Sequence, residues 1–245
     1  MSALNIIQQA EAVHLITDGA SYELDGTIID ILPSKVFILS EAKAAIAFRG
    51  RTIEWIPHEL LNCDSLEAAL ELIPAIARAS IEYLHNLEYG QNAESLRHFE
   101  CVVAGWSEKN DRPEAWGMTT RIEEQPDIFR HVLDFTPFTM FELPVLVASP
   151  AVSLSEVLGT VATLEDVDAL APQDAGLSLL QAQRKSRYPV EGEPQYIVGG
   201  YGEITTIDRC GVRQSRLVTW PDQIGRLIDP FASATNPDRG LGSDK

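Results

Sequence analysis

The sequence predicts an α+β protein in which antiparallel sheets carry helices on their outer faces, and three observations predict it. Strand-like segments rich in β-branched residues come in groups at the start, middle and end of the chain. Between the groups, apolar residues recur every three or four positions, the period of a helix with one buried face. Strand candidates within each group are separated by loops of hairpin length, and hairpins join antiparallel neighbours.

The chain opens inside a sheet, with β-prone runs at 3–8 and 12–17 on either side of Gln9-Ala10-Glu11. The second run ends in an Asp18-Gly19 turn. Asp25-Gly26 marks a further turn, and Pro33 keeps the approach to Lys35 extended. A hairpin follows, its first strand beginning at Lys35 and its second closing the small-residue run that ends at Gly50.

From Asp64 the period changes. Leu66, Leu70, Ile73, Ala77, Ile81 and Leu84 form one apolar face, and Asp64 with Glu67 three positions on reads as a capping box. Pro74 inside that helix predicts a kink or a break. Strands are expected at 99–106 and 114–120 around a loop at 108–113. Between 129 and 150 the β-prone runs 132–135 and 144–148 fit two strands, or one strand and a loop. Ser153 and Glu156 repeat the capping-box spacing ahead of a short helix, and a longer helix runs from Asp174 to Tyr188, stopped by Pro189. Strands at 195–207 and 212–219 follow, then a short capped segment after Trp220-Pro221. No linker or repeat divides the chain, so residues 1–232 are expected to form one domain and 233–245 a flexible tail.

With 45% hydrophobic residues in 245, there is ample material for a core. No run approaches the roughly 20 apolar residues of a membrane span, and no signal-peptide pattern opens the chain. The expectation is a cytoplasmic protein with no membrane partner. A formal charge of −17 opposes electrostatic attraction to nucleic acid, whose phosphates dominate such binding. Cys63, Cys101 and Cys210 are odd in number and widely separated, which fits free thiols in a reducing compartment. No metal and no cofactor are expected: His14, His58, His85, His98 and His131 show no HExxH spacing, and the cysteines no CxxC. Gly199-Gly200-Tyr201-Gly202 lacks the spacing of a phosphate loop and reads as close backbone packing inside a strand.

Ser2, Asp18 and Lys35 carry the chemistry. Each has an ordinary reading: the residue after the initiator, a strand-end turn, and a lysine that discourages edge pairing. Together they also fit a different use. A serine hydroxyl needs a base within hydrogen-bond reach, and the chain's own α-amino group, with a pKa near 8, can serve once Met1 is removed. A neighbouring ammonium lowers the proton affinity of that pair, and a buried aspartate keeps the ammonium charged and oriented.

The order of elements and the residues around Asp18 and Lys35 resemble the proteasome β-subunit and HslV branch of the N-terminal nucleophile (Ntn) hydrolases. The matching residues are Ser2, Asp18, Lys35 and Gly50, and the stretch Ile197-Val198-Gly199-Gly200-Tyr201-Gly202-Glu203-Ile204 resembles the family's closing strands. The likeness in element order spans nearly the whole chain, and in identifiable residues it covers about 13–50. It implies a four-layer αββα sandwich and hydrolysis of a peptide or amide by Ser2, with Asp18 and Lys35 in support. It also implies an oxyanion and substrate-binding region at Arg49 and Gly50, and a homo-oligomeric ring or dimer. Two features depart from the pattern: residues 188–194 hold no serine, and Arg49 stands where a small residue is usual. They keep open a catalytically inactive, ring-forming subunit of the same fold; a small-molecule amidase of the wider Ntn group is a third reading.

Overall fold

The computed structural model describes residues 3–23, 25–50, 58–86, 99–121, 126–129, 131–189 and 194–235. Met1, Ser2, His98, part of the 188–194 segment and most of the 233–245 tail lie outside them. The chain is a mixed α+β protein with antiparallel sheets, as its residue pattern predicts. No helix of the described residues is long and apolar enough to cross a membrane.

Sheet I contains β1 (Leu4–Gln8), β2 (Ala12–Asp18), β10 (Leu146–Ser149), β13 (Tyr201–Asp208) and β14 (Gly211–Thr219), in the order β10-β1-β2-β13-β14. Sheet II contains β5 (Val36–Leu39), β6 (Ala44–Gly50), β7 (Phe99–Ser107), β8 (Arg112–Thr119) and β9 (Phe141–Glu142), in that order. A ribbon of β3 (Ala20–Tyr22) and β4 (Ile28–Ile31) and a small one of β11 (Tyr188–Pro189) and β12 (Pro194–Gln195) complete the strands. Not every pair is a hairpin. Strands β2 and β13, β1 and β10, and β6 and β7 meet across long stretches of chain.

Three apolar clusters explain the strand sequences. Leu4, Ile6, Val13 and Leu15 of sheet I meet Ala45, Ala47, Val102, Ala104 and Ala115 of sheet II in the first. The alternate positions of sheet II, among them Ala44, Ile46, Cys101 and Val103, share the second with Leu60 of the short helix α1 (His58–Leu61) and with Leu66, Ala69, Ile73 and Ala77 of α2 (Leu66–Asn86). Those of sheet I, among them Ile7, Ile16 and Ile204, pack in the third against α5 (Pro172–Lys185) through Ala175, Leu179 and Leu180. Strands buried on both faces read as continuous apolar runs, which is why β6 and β7 show no clean alternation. Gly176 lets α5 approach β2 closely, since a Cβ there would lie 2.9 Å from Ile16 Cγ1.

Several local expectations are corrected. Pro74 neither breaks α2 nor divides it: the helix runs 21 residues through it. The buried stripe on both sides of the proline outweighs the roughly 3 kcal/mol that a proline costs in a helix interior. The start of α2 is capped by Ser65, whose hydroxyl accepts from Ala68 N at 3.3 Å, whereas Glu67 accepts from Ser107 Oγ at 2.6 Å. Ser153 precedes α3 (Leu154–Leu158) without a side-chain cap; the capping box is at Thr163 and Asp166, on α4 (Leu164–Asp168). α5 ends before Tyr188, and residues 196–200 precede β13 outside any strand; of the two alternatives for 132–135 and 144–148, the first run forms no strand and β10 takes up the second. Thr235, placed in the tail by composition, exchanges both backbone hydrogen bonds with Thr219 (2.8 and 3.0 Å).

His14, on β2, is buried with its ring nitrogens 3.0 Å from Thr206 Oγ1 and 3.2 Å from Gln9 Oε1. Burial, helped by Arg213 and opposed by Asp208, lowers its pKa from 6.5 to about 4. The unfolded chain therefore takes up this proton near pH 6.5 while the folded chain does not until about 4, so acid favours unfolding in between. Stability should fall by about 3 kcal/mol from this group as pH drops through that window. In chemical denaturation at stepped pH, His14→Gln should flatten that part of the profile; a variant as steep as the wild type would contradict it.

Candidate functional site

One end of the two sheets brings an acid and a lysine together. Asp18 closes β2, Lys35 immediately precedes β5, and Gly199 lies in the turn that leads into β13. Asp18 is fully buried, and its carboxylate accepts three hydrogen bonds: Ala3 N at 2.9 Å and Lys35 Nζ at 3.0 Å on Oδ1, and Gly199 N at 3.0 Å on Oδ2. Lys35 also donates to Ala20 O at 2.5 Å. Burial pulls its pKa below the ordinary lysine value, and the Asp18 charge and hydrogen bond work the other way. Unpaired, such charges would be very costly away from water.

The chain reaches this geometry for local reasons. The bond from Ala3 N ties the start of β1 to the end of β2. Gly19 is needed after Asp18 because Tyr201 lies over it; a Cβ there would come 2.1 Å from Tyr201 Cε1. The Tyr201 hydroxyl donates to Leu32 O at 2.7 Å, holding the approach to Lys35 in place.

Arg49 lies beside this group. It stands directly opposite Glu100 in the β6–β7 pairing, with Nη1 3.3 Å from Glu100 Oε2, and Nη1 also donates to Ser149 Oγ of β10. Two cationic side chains, Lys35 just before β5 and Arg49 on β6, thus reach acceptors on sheet I, Asp18 and Ser149. Ser149 N in turn donates to Asn5 Oδ1 at 3.2 Å, and Asn5 exchanges amide hydrogen bonds with Gln183 of α5 at 2.9 and 2.7 Å. Gly50 ends β6 with φ +100°, and residues 51–57 after it lie outside the described set. Tyr22 is close enough to feel both charges: its phenol is pushed well above its ordinary value by burial and then by Asp18, against Arg49.

Of the residues singled out from sequence, Asp18 and Lys35 are brought into contact and Arg49 and Gly50 lie at the same end of the fold. Ser2 lies outside the described residues; its neighbour Ala3 is bonded to Asp18. Sequence reasoning missed Glu100 and Ser149 as partners of Arg49, and Gly199 as a donor to Asp18. Glu100 is separated from Arg49 by 51 residues and was hidden by strand register, for which no local signal exists. No protein-family model matches the chain, and no curated protein matches it either.

Proposed function

We propose that the chain belongs by fold to the N-terminal nucleophile class, as a four-layer αββα sandwich. Three clusters support this: one between the sheets, one beneath α2 and one beneath α5. Within that class the reading is a proteasome β-subunit or HslV-like hydrolase of peptide or amide bonds, with Ser2 as nucleophile after Met1 is removed.

One observation carries the reading: the Asp18 carboxylate holds Lys35, Gly199 and the residue that follows Ser2 on a single buried group. In the proposed reaction Ser2 Oγ attacks the substrate carbonyl and its proton passes to the α-amine. The tetrahedral oxyanion is received by backbone N–H groups near Gly50. The α-ammonium then returns the proton to the departing amine, and water hydrolyses the resulting ester by the same route. Lys35 lowers the proton affinity of the nucleophile, and Asp18 keeps Lys35 charged and aimed.

Intact mass of the purified protein and hydrolysis of fluorogenic peptides test this together. Loss of Met1 is expected, with a rate that falls about 1,000-fold or more in Ser2→Ala. Retained Met1, or equal rates in the two proteins, would end the hydrolase reading.

A second reading rests on Arg49. Arg49 is held by Glu100 and Ser149, and a side chain of this size where the resembling family carries a small residue would crowd a substrate channel, which favours a non-catalytic subunit that keeps the sandwich for assembly into a ring or dimer. Native mass spectrometry that finds a closed oligomer without peptide turnover supports this reading; a monomer that turns peptides over removes it.

A further inference from the structure

A further buried ion pair is joined to the Asp18 site through the Gly199–Gly200 backbone. Arg184 of α5 and Asp222, in the segment after β14, are each 2% exposed at their side chains and meet as a fork, with Nη1 to Oδ2 and Nη2 to Oδ1 both 2.8 Å. Arg184 further donates to Val198 O at 2.9 Å and Asp229 O at 2.5 Å, and its guanidinium stacks 4.6 Å from the Trp220 ring centroid. Asp222 Oδ2 accepts from Gly200 N at 2.7 Å, one residue beyond the Gly199 N–H that Asp18 accepts.

The two acids thus accept from consecutive amides, Gly199 N and Gly200 N. Gly200 has φ +74°, and a Cβ on Gly199 would lie 2.7 Å from Asp222 Oδ2, so the turn leaves no room for a side chain. Gly199 O accepts from Gly19 N at 3.1 Å and Ala20 N at 3.0 Å, and Ala20 O is an acceptor of the Lys35 ammonium. Both of these oxygens that hold Lys35 are consequently seated on the turn that the pair holds: Asp18 through Gly199 N, and Ala20 through Gly199 O.

We propose that Arg184 and Asp222 are a positioning pair for the Asp18–Lys35 site, fixing the Gly199–Gly200 turn in the placement that aims Asp18 and the Ala20 carbonyl at Lys35. Stability alone does not account for a buried pair of this kind, because apolar residues of similar volume often serve as well or better. A fixed direction for several hydrogen bonds does account for it, since the bidentate fork sets geometry as well as energy. The catalytic consequence rests on the reading of Asp18 and Lys35 given above; the positioning itself does not.

The experiment reads Lys35 directly. Lys35 is one of five lysines, so its ammonium can be followed by NMR in full-length protein carrying isotope-labelled lysine. In Asp222→Asn, and in the double variant Arg184→Gln/Asp222→Asn that removes both charges together, its titration midpoint should move down by about half a pH unit or more, because burial then acts against weaker acceptors. Leu66→Ala, in the apolar cluster under α2, should loosen the protein comparably and leave the midpoint in place. An unchanged midpoint in folded charge variants, or an equal move in Leu66→Ala, would overturn the proposal. Should neither charge variant fold, amide exchange in the wild type decides: Gly199 and Gly200 should exchange as slowly as β13, and fast exchange at either would overturn it. Absence of peptide hydrolysis in the wild type would remove the hydrolase reading while leaving these readouts intact.

Discussion

Asp18→Ala should lower the free energy of unfolding by about 3–5 kcal/mol, the cost of breaking a buried ion pair from one side. The substitution leaves the Lys35 ammonium, 8% exposed as a residue, without its carboxylate. It also strands the N–H groups of Ala3 and Gly199, each costing a further fraction of a desolvated donor unless water enters. In urea denaturation the midpoint should fall with little change in slope. Asp18→Ala/Lys35→Met should recover part of the loss, because the uncompensated charge goes with the lysine. If the single variant were as stable as the wild type, Lys35 would not depend on Asp18 and the site argued above would not exist as a unit.

Arg49→Ala should cost about 3 kcal/mol, by the same physics at a neighbouring position. It strands Glu100, which is 8% exposed, and removes the guanidinium that joins Ser149 of sheet I to β6 of sheet II. Arg49→Met/Glu100→Leu should regain most of that stability, since an apolar pair in place of a buried charge pair is often neutral. Measured together, the single and double variants give the coupling energy of the pair, and a value near zero would show that the two side chains act independently. The same alanine variant also separates the two functional readings. If Arg49 obstructs a working cleft, its removal should raise the rate of peptide cleavage; in a non-catalytic subunit there is no rate to raise.

How much of this was legible depends on the reach of each signal. Asp18-Gly19 and Lys35 could be picked out because a turn, a strand end and a proline-extended approach are written within a few residues. The α2 face was legible for the same reason, from the spacing of Leu66, Ile73 and Ala77. Its cap lies one residue beyond the Asp64 that the spacing suggests, because Asp64 and Ser65 both suit the role and only the backbone of the first turn chooses between them. Of the kink or break that Pro74 predicts, the break does not occur, because packing on sheet II overrides the local rule. The Gly199–Gly200 turn was read for its packing and missed for its hydrogen bonds, because its partner Asp18 lies 181 residues away.

By itself the sequence determined the mixture of helix and antiparallel strand, the apolar face of the helix through Leu66, Ile73 and Ala77, and the acid and lysine worth examining. These follow from backbone preference and hydrophobic period, which act along the chain. The order β10-β1-β2-β13-β14, the pairing of Arg49 with Glu100 and the closing of two acids on one glycine turn were decided only in the tertiary structure. Those choices rest on strand register and on the cost of burying each charge without a partner, and both are set by groups that meet only once the layers have packed.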